Sequence, residues 1–123
     1  MDNCIFCRIA AKTIPSEVVY EDEALLAFKD INPAAPVHLL VIPKQHVATL
    51  SDCGSEHAGL LAQMLLLVPK LAKEFGCELT NDANNGQTGG YRTTINTGPD
   101  GGQEVYHLHL HVMGGPKPWR GRR

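Results

Sequence analysis

The stretch Val105-Tyr106-His107-Leu108-His109-Leu110-His111-Val112-Met113 sets a histidine at every second position, with leucine or valine between and Gly114-Gly115-Pro116 after it. An extended chain sends alternate side chains to opposite faces, so His107, His109 and His111 share one face while Leu108, Leu110 and Val112 share the other. The apolar row demands a core on its side. One histidine on such a strand would be unremarkable, but three in strict alternation point to chemistry. Neutral imidazole is a nucleophile, a general base and a metal ligand near neutral pH, and the row alone leaves all three open. Neighbouring members lie roughly 7 Å apart by strand rise and the outer two about twice that, which suits two of them better than three around one ion.

A chain of 123 residues is expected to form one domain, here a core over residues 1–113 and a tail over 114–123. A formal charge of −2 gives no electrostatic footprint for nucleic acid, so a nucleotide partner is expected to be a small molecule. The N-terminal residues lack the pattern of an export signal and no apolar run approaches membrane-spanning length, so the expected compartment is the cytoplasm, away from any membrane. Four cysteines in that setting are expected to be thiols or metal ligands rather than disulfides. Arg120, Arg122 and Arg123 make a short basic tail of the kind that is usually solvated.

Cys4-Ile5-Phe6-Cys7 is half of a zinc site, a redox pair or two small buried residues. A redox pair belongs at a helix start after a strand, and no strand precedes Cys4. Zinc needs two further ligands, which His46 and one histidine of the row can supply. Residues 6–12 read as a short helix stopped before Ile14-Pro15. Residues 17–21 and 24–29 read as strands joined at Asp22-Glu23, and the dense apolar run from His38 to Pro43 reads as a central strand. Asp30, at a strand end, is either a local cap or an acceptor for paired hydroxyls. His38 is either a strand-end histidine satisfied by backbone or part of the site.

Ser51 or Asp52 is expected to cap a helix running to Phe75 and stopped by Gly76. Leu61, Met64, Leu65, Val68, Leu71, Ala72 and Phe75 form its apolar face, with Pro69 expected to bend it. That face is wide enough for both a sheet and a partner subunit. Cys53 and Cys77 flank the helix as bystanders. Residues 81–90 read as loop, 91–96 as a strand pairing antiparallel with the histidine strand, and 98–102 as the turn between them. Gly101 and Gly102 allow close backbone approach to a ligand, and Asn96 and Gln103 can donate to phosphate oxygens.

The His-x-His-x-His run preceded by Gly101-Gly102-Gln103 resembles the signature of the histidine-triad (HIT) nucleotide-binding family. The likeness extends through Ile5-Phe6, Ile14-Pro15, Tyr20-Glu21-Asp22, Ala27-Phe28, Asp30-Ile31, Ala35-Pro36 and residues 38–43, and is nearest to the Hint branch of purine nucleoside phosphoramidases. It implies an α+β fold with about five antiparallel strands, one main helix and a short N-terminal helix. The resemblance makes His109 a nucleophile toward the α-phosphorus of a purine nucleoside 5′-phosphoramidate, with His111, His107 and His38 completing the catalytic set. It assigns Phe6, Ile9, Phe28 and Ile31 to the base, Asp30 to the ribose, and Asn96, Gly102 and Gln103 to the phosphate. Trp119 resembles a C-terminal tryptophan that reaches toward the partner subunit's site in a homodimer. Catalysis would need no cofactor, while Cys4, Cys7, His46 and His107 match the structural zinc ligands of some relatives. Glu104 departs from the best-known animal members, which carry there a serine that helps the leaving group; its carboxylate either accepts from a departing amine or water or, on strand alternation, points away from the histidines, and Gly-Gly-Gln-Glu resembles the bacterial type of the branch. The same scaffold also hosts dinucleoside polyphosphate hydrolysis and nucleotide-binding regulatory modules whose turnover is incidental.

Overall fold

The computed structural model describes residues 3–116. Trp119 and the arginines at 120, 122 and 123 therefore lie outside the described residues. The strands are β1 (Val18–Glu21), β2 (Leu25–Lys29), β3 (Val37–Pro43), β4 (Thr80–Asp82), β5 (Gly86–Thr88), β6 (Tyr91–Thr94) and β7 (Leu110–Gly114), and the α-helices are α1 (Ile5–Ala10) and α2 (Ala58–Glu74). Five strands form one antiparallel sheet in the order β1-β2-β3-β7-β6, giving the expected α+β architecture.

Strand β3 is the centre because its sequence is apolar on both faces, and every residue from His38 to Pro43 is buried. Its two faces feed two separate cores. Leu39 and Val41 join Leu25, Ala27, Leu108, Leu110 and Val112 under α2, which contributes Met64, Leu67, Val68 and Leu71. Leu40 and Ile42 join Leu26 and Phe28 under α1, which contributes Phe6 and Ile9. Leu40 pairs with His111 and His38 with Met113, so the histidines sit on the α1 face.

The alternation of the histidine stretch survives, but regular strand begins only at Leu110. The reason lies at the end of β3: the carbonyl of Pro43 accepts from the His107 ring at 2.7 Å, and Leu108 N–H donates to the Val47 carbonyl at 2.6 Å. Residues 107 to 109 are held extended by these separate bonds rather than by a ladder.

The main helix starts later than expected. Ser51 and Asp52 belong to a one-turn 3₁₀ segment, Leu50–Asp52, in which Asp52 accepts from both the Thr49 amide and hydroxyl. Extended Cys53 and Gly54 break the path, and His57 stands at the N-terminus of α2. At the other end Gly76, with φ of 77°, closes a Schellman motif: Cys77 N–H donates to Ala72 O and Gly76 N–H to Lys73 O. The buried stripe is Met64, Leu67, Val68, Leu71 and Ala72, while Leu65, expected in the core, is 50% exposed. It lies about 100° round the helix from Met64, and Leu67 takes the inward place. The helix runs through Pro69, so the Leu65 carbonyl loses its usual donor.

Residues 81–90, expected to be loop, contain an exposed two-stranded ribbon, β4 with β5. Asp82 nucleates its turn by accepting from the Asn84 and Asn85 amides, and the Thr80 and Thr88 hydroxyls meet across it. Strand β6 ends at Thr94, two residues short of Asn96. The following turn needs glycine at 101, because a Cβ there would stand 2.2 Å from the Thr97 carbonyl oxygen.

Candidate functional site

His107 and His109 of the row, and His38 beside them, each have one ring nitrogen held by a backbone group whose role is fixed. A carbonyl oxygen only accepts, so His109 Nδ1, 2.7 Å from the His107 carbonyl, carries the proton and leaves Nε2 with a lone pair. His107 Nε2 likewise donates to the Pro43 carbonyl, leaving its Nδ1 as the free acceptor. A backbone amide only donates, and Ala34 N–H donates to His38 Nδ1 at 2.9 Å, so the neutral His38 ring carries its proton on Nε2. That proton faces His111 Nδ1 at 2.9 Å, with Asp30 Oδ2 3.4 Å away as a second acceptor. His111 is thereby left with its proton on Nε2.

His109 and His111, with ring centroids 5.0 Å apart, line a cavity of about 300 Å³. Phe6, Ile9, Phe28 and Leu40 form apolar wall, and the Phe6 ring stands edge-on to both Phe28 and His109. Asp30, Asn96 and Gly102 supply polar lining, and Ile31, 88% exposed, projects at the rim. Asp30 combines both readings of it: Oδ1 accepts from the Asn32 amide as a local cap while the residue also lines the cavity.

Three expected site residues stand elsewhere. Gln103 does not line the cavity: its amide accepts from Gly98 N–H and donates to the Ala48 and Val105 carbonyls, so both its donor and acceptor functions brace the turn. His38 lies behind His111 and Asp30, reaching the cavity through those two residues. His107 is fully buried and faces a different cluster. Of the two readings of Glu104, strand alternation does not apply: it lines the cavity with the two histidines, because residues 104 to 109 are not a regular strand. The alternation did not identify Leu40, although its pairing with His111 and its parity with His38 carry that signal. Ile14, Pro15 and Ser16 also line the cavity, and nothing local in the sequence marks them.

The second cluster is Cys4, Cys7, His46 and His107, whose sulfur and nitrogen atoms all lie within 4.8 Å of one another. Cys7 Sγ is 3.2 Å from His46 Nδ1 and 3.5 Å from His107 Nδ1, and Cys4 Sγ is 3.4 Å from His107 Nδ1. Two sulfurs and two imidazoles make a borderline-soft, four-donor set suited to zinc, and His107 turns its lone pair into the cluster because Pro43 holds its proton outside. Asp30, His38 and His111 are equally close together but fail the same test. There the Ala34 amide forces the His38 proton onto Nε2, which points into the group where a cation would have to sit.

The family model described as "Scavenger mRNA decapping enzyme C-term binding" matches residues 3–123. Protein HitA of Neisseria gonorrhoeae is 55% identical over 116 residues, spanning 94% of this chain and 99% of that protein. The purine nucleoside phosphoramidase of Escherichia coli K12 is 40% identical over 114 residues, 93% of this chain and 88% of that one. A crystal structure of a HIT family hydrolase from Legionella pneumophila Philadelphia 1 superposes with a TM-score of 0.82 at 47% identity, covering 93% of this chain and 94% of that chain.

The chain belongs to the histidine-triad family. It is a nucleotide hydrolase of that family, and its fold is the histidine-triad fold. Among its described residues no helix is long and apolar enough to cross a membrane.

Burial in this histidine-triad site favours the neutral form of His38, His107 and His111. Burial holds His38 below its ordinary value, only partly offset by the Asp30 carboxylate. Burial, with His109 and His38 alongside, pushes His111 down to about 4. Because the unfolded chain titrates these rings near the ordinary 6.5, it binds more protons than the folded chain between there and about 4. Stability from these burials is therefore complete above about pH 6.5 and is lost as pH falls toward 4. We expect Tm to drop across that window, and His111→Asn to drop less steeply than the wild type; parallel curves would exclude His111 as a source of the acid sensitivity.

Proposed function

We propose that the chain cleaves the P–N bond of purine nucleoside 5′-phosphoramidates through a nucleotidyl-His109 intermediate, working in the cytoplasm as a homodimer. The observation that carries the reading is the His109 tautomer: with Nδ1–H given to the His107 carbonyl, a basic Nε2 stands at the cavity. Phe6, Ile9, Phe28 and Ile31 supply flat and apolar contacts for a base, and Asp30 an acceptor for ribose hydroxyls. His111 Nε2–H, Asn96 and the backbone at Gly102 supply donors for the phosphate oxygens, where charge develops. Gln103 supports this indirectly by fixing the turn that carries Gly102.

The step balances with one water. His109 Nε2 attacks phosphorus and the P–N pair leaves with the amine, which takes a proton from water at the cavity mouth. The hydroxide left behind attacks the nucleotidyl-histidine, releasing the nucleoside monophosphate and returning the lone pair to Nε2. His38, fixed by the Ala34 amide, acts as a positioning residue for His111. No residue in this sequence needs a divalent cation for the charge work, so the reaction is proposed to require no cofactor. A structural zinc is proposed on Cys4, Cys7, His46 and His107, where it would brace the His107 backbone whose carbonyl orients His109. Dimerisation is supported by Leu65 and Leu66, 50% and 75% exposed on α2, and by β6, which has only β7 as a neighbour. Trp119 keeps its proposed role toward the partner's site.

The competing substrate is a dinucleoside polyphosphate, in line with the decapping-enzyme description of the matching family model. Adenosine phosphoramidate is expected to show the higher kcat/KM when compared with diadenosine tetraphosphate; the reverse order would overturn the choice. His109→Ala is expected to lose at least about a thousandfold in rate and to leave no labelled nucleotide on the protein after acid-free trapping. Protein purified without added metal should contain one zinc per chain, and Cys7→Ser should lose both the metal and several degrees of Tm; a metal-free wild type of unchanged stability would end the zinc proposal. Sedimentation should give twice the chain mass, and a monomer at micromolar concentration would contradict the dimer.

A further inference from the structure

The cysteine–histidine cluster reaches the surface on one side. Cys4 and His46 line a cleft of about 460 Å³ whose other walls include Ala48 and Tyr106. Cys7 is not part of that lining; its sulfur lies inward, 3.2 Å from His46 Nδ1 and 3.5 Å from His107 Nδ1. A small solute entering the cleft therefore meets Cys4 first. The two sulfurs are also placed to be joined. Both are free thiols within 4.8 Å of each other. Cys4 is the N-cap of α1 and Cys7 its third residue, and Arg8 N–H donates to the Cys4 carbonyl at 3.1 Å. Residues three apart on such a turn hold their α-carbons about 5 Å apart, within the span a disulfide bridges. The other two cysteines are less available. Cys77 is 2% exposed with its sulfur against Gly114, while burial and the Asp52 and Glu56 carboxylates hold the Cys53 thiol up, away from the reactive thiolate.

We propose that Cys4 and Cys7 form a site of reversible oxidation by hydroperoxides, and that their disulfide releases the metal and slows the hydrolase. The Cys4 sulfur, at the cleft, attacks the outer oxygen of the peroxide and breaks the O–O bond. It becomes a sulfenic acid, and the other oxygen leaves as water or an alcohol. The Cys7 sulfur then attacks the Cys4 sulfur, forming S–S and breaking S–O, and the second oxygen leaves as water. Two electrons pass from the sulfurs to the peroxide, and the two thiol protons end on the departing oxygens. Disulfide sulfurs carry no charge to hold a cation, so only His46 and His107 would remain of the four donors. The change has two routes to His109. The His107 ring faces both sulfurs while the His107 carbonyl fixes His109 Nδ1. The Cys7 amide donates to Cys4 Sγ in the same turn that carries Phe6 against the His109 ring. Release of metal rests on the zinc reading; the joining of the sulfurs does not.

The test starts from reduced wild-type protein of measured zinc content, exposed to stepwise hydrogen peroxide, after which free thiols are alkylated and the chain is mapped by mass. The peptide holding Cys4 and Cys7 is expected to become lighter by two hydrogens and to escape alkylation before Cys53 or Cys77 does. A chromogenic chelator should register zinc leaving in step with that change. In the same samples kcat/KM should fall about tenfold or more, read with whichever of adenosine phosphoramidate and diadenosine tetraphosphate the chain cleaves faster. A dithiol followed by zinc should restore both metal and rate. Cys53→Ser should follow the same course, whereas Cys7→Ser, lacking the second sulfur, should carry Cys4 on to a sulfinic acid that no dithiol reverses. Oxidation of Cys53 or Cys77 ahead of the pair, a pair that stays alkylatable while the rate falls, or a completed disulfide that leaves the zinc or the rate in place overturns the proposal. Reduced protein that contains no zinc overturns the zinc reading alone, because the disulfide is still read on the sulfurs and on kcat/KM.

Discussion

Backbone groups with only one possible hydrogen-bonding role decide what each imidazole in this site can do. Carbonyl oxygens of Pro43 and His107 can only accept, and the Ala34 amide can only donate. Three histidines that are chemically identical in the unfolded chain thereby become a ring with its lone pair at the cavity, a ring with its lone pair toward the cysteines and a ring bonded to a fourth imidazole. The sheet is the device that delivers these groups, since β3 ends at Pro43 in the place where His107 needs an acceptor and carries His38, its second residue, beside His111. Neutrality follows from the same arrangement. A proton added to His111 would face the His38 N–H across 2.9 Å, so burial and geometry both resist it.

The two close-packed groups of potential ligands illustrate why composition is a poor guide to metal binding. Asp30, His38 and His111 have the residue types of a metal site, as do Cys4, Cys7, His46 and His107. One group has a proton fixed at its centre and the other a lone pair. In the cysteine cluster, burial and the nearby Cys4 sulfur raise the Cys7 thiol, so the metal-free cluster holds it protonated. A cation would reverse that preference by displacing the proton, which couples metal binding to pH as well as to folding.

Much of this was legible in the residues because it depends on period. The row at 107, 109 and 111, the dense run from His38 to Pro43 and the helical stripe ending at Phe75 each obey a fixed repeat: the run lies in the central strand, the row keeps one face although only His111 lies in regular strand, and the stripe faces the core except at Leu65. What was not legible depends on partners distant in sequence. Gln103 looks like a phosphate donor until the Ala48 and Val105 carbonyls claim its amide, and His38 looks like an outlying histidine until β3 pairs with β7. Alternation cannot place Glu104 because no ladder supports the chain there. Asp52 does not cap α2: it is the third residue of a single 3₁₀ turn whose N-cap is Thr49, to which its carboxylate reaches back, and Gly54 cuts that turn off from the helix.

Helix α1 shows how closely the two halves of the site depend on each other. Six residues are far too few for a helix to persist in water on its own, so α1 stands only because its surroundings hold it. Its inward side is held by Phe6 and Ile9 against Phe28 and Leu40, and its N-terminus by Cys4 Sγ, which accepts from the Cys7 amide while both sulfurs face His107. Phe6 touches the His109 ring from the same turn. The apolar wall, the sulfur cluster and the proposed nucleophile are thus joined through one turn of helix. Loosening the cysteines would move Phe6, and moving Phe6 would free the His109 ring. The sulfur cluster is only one side chain removed from that ring, so a change in either passes to the other through Phe6.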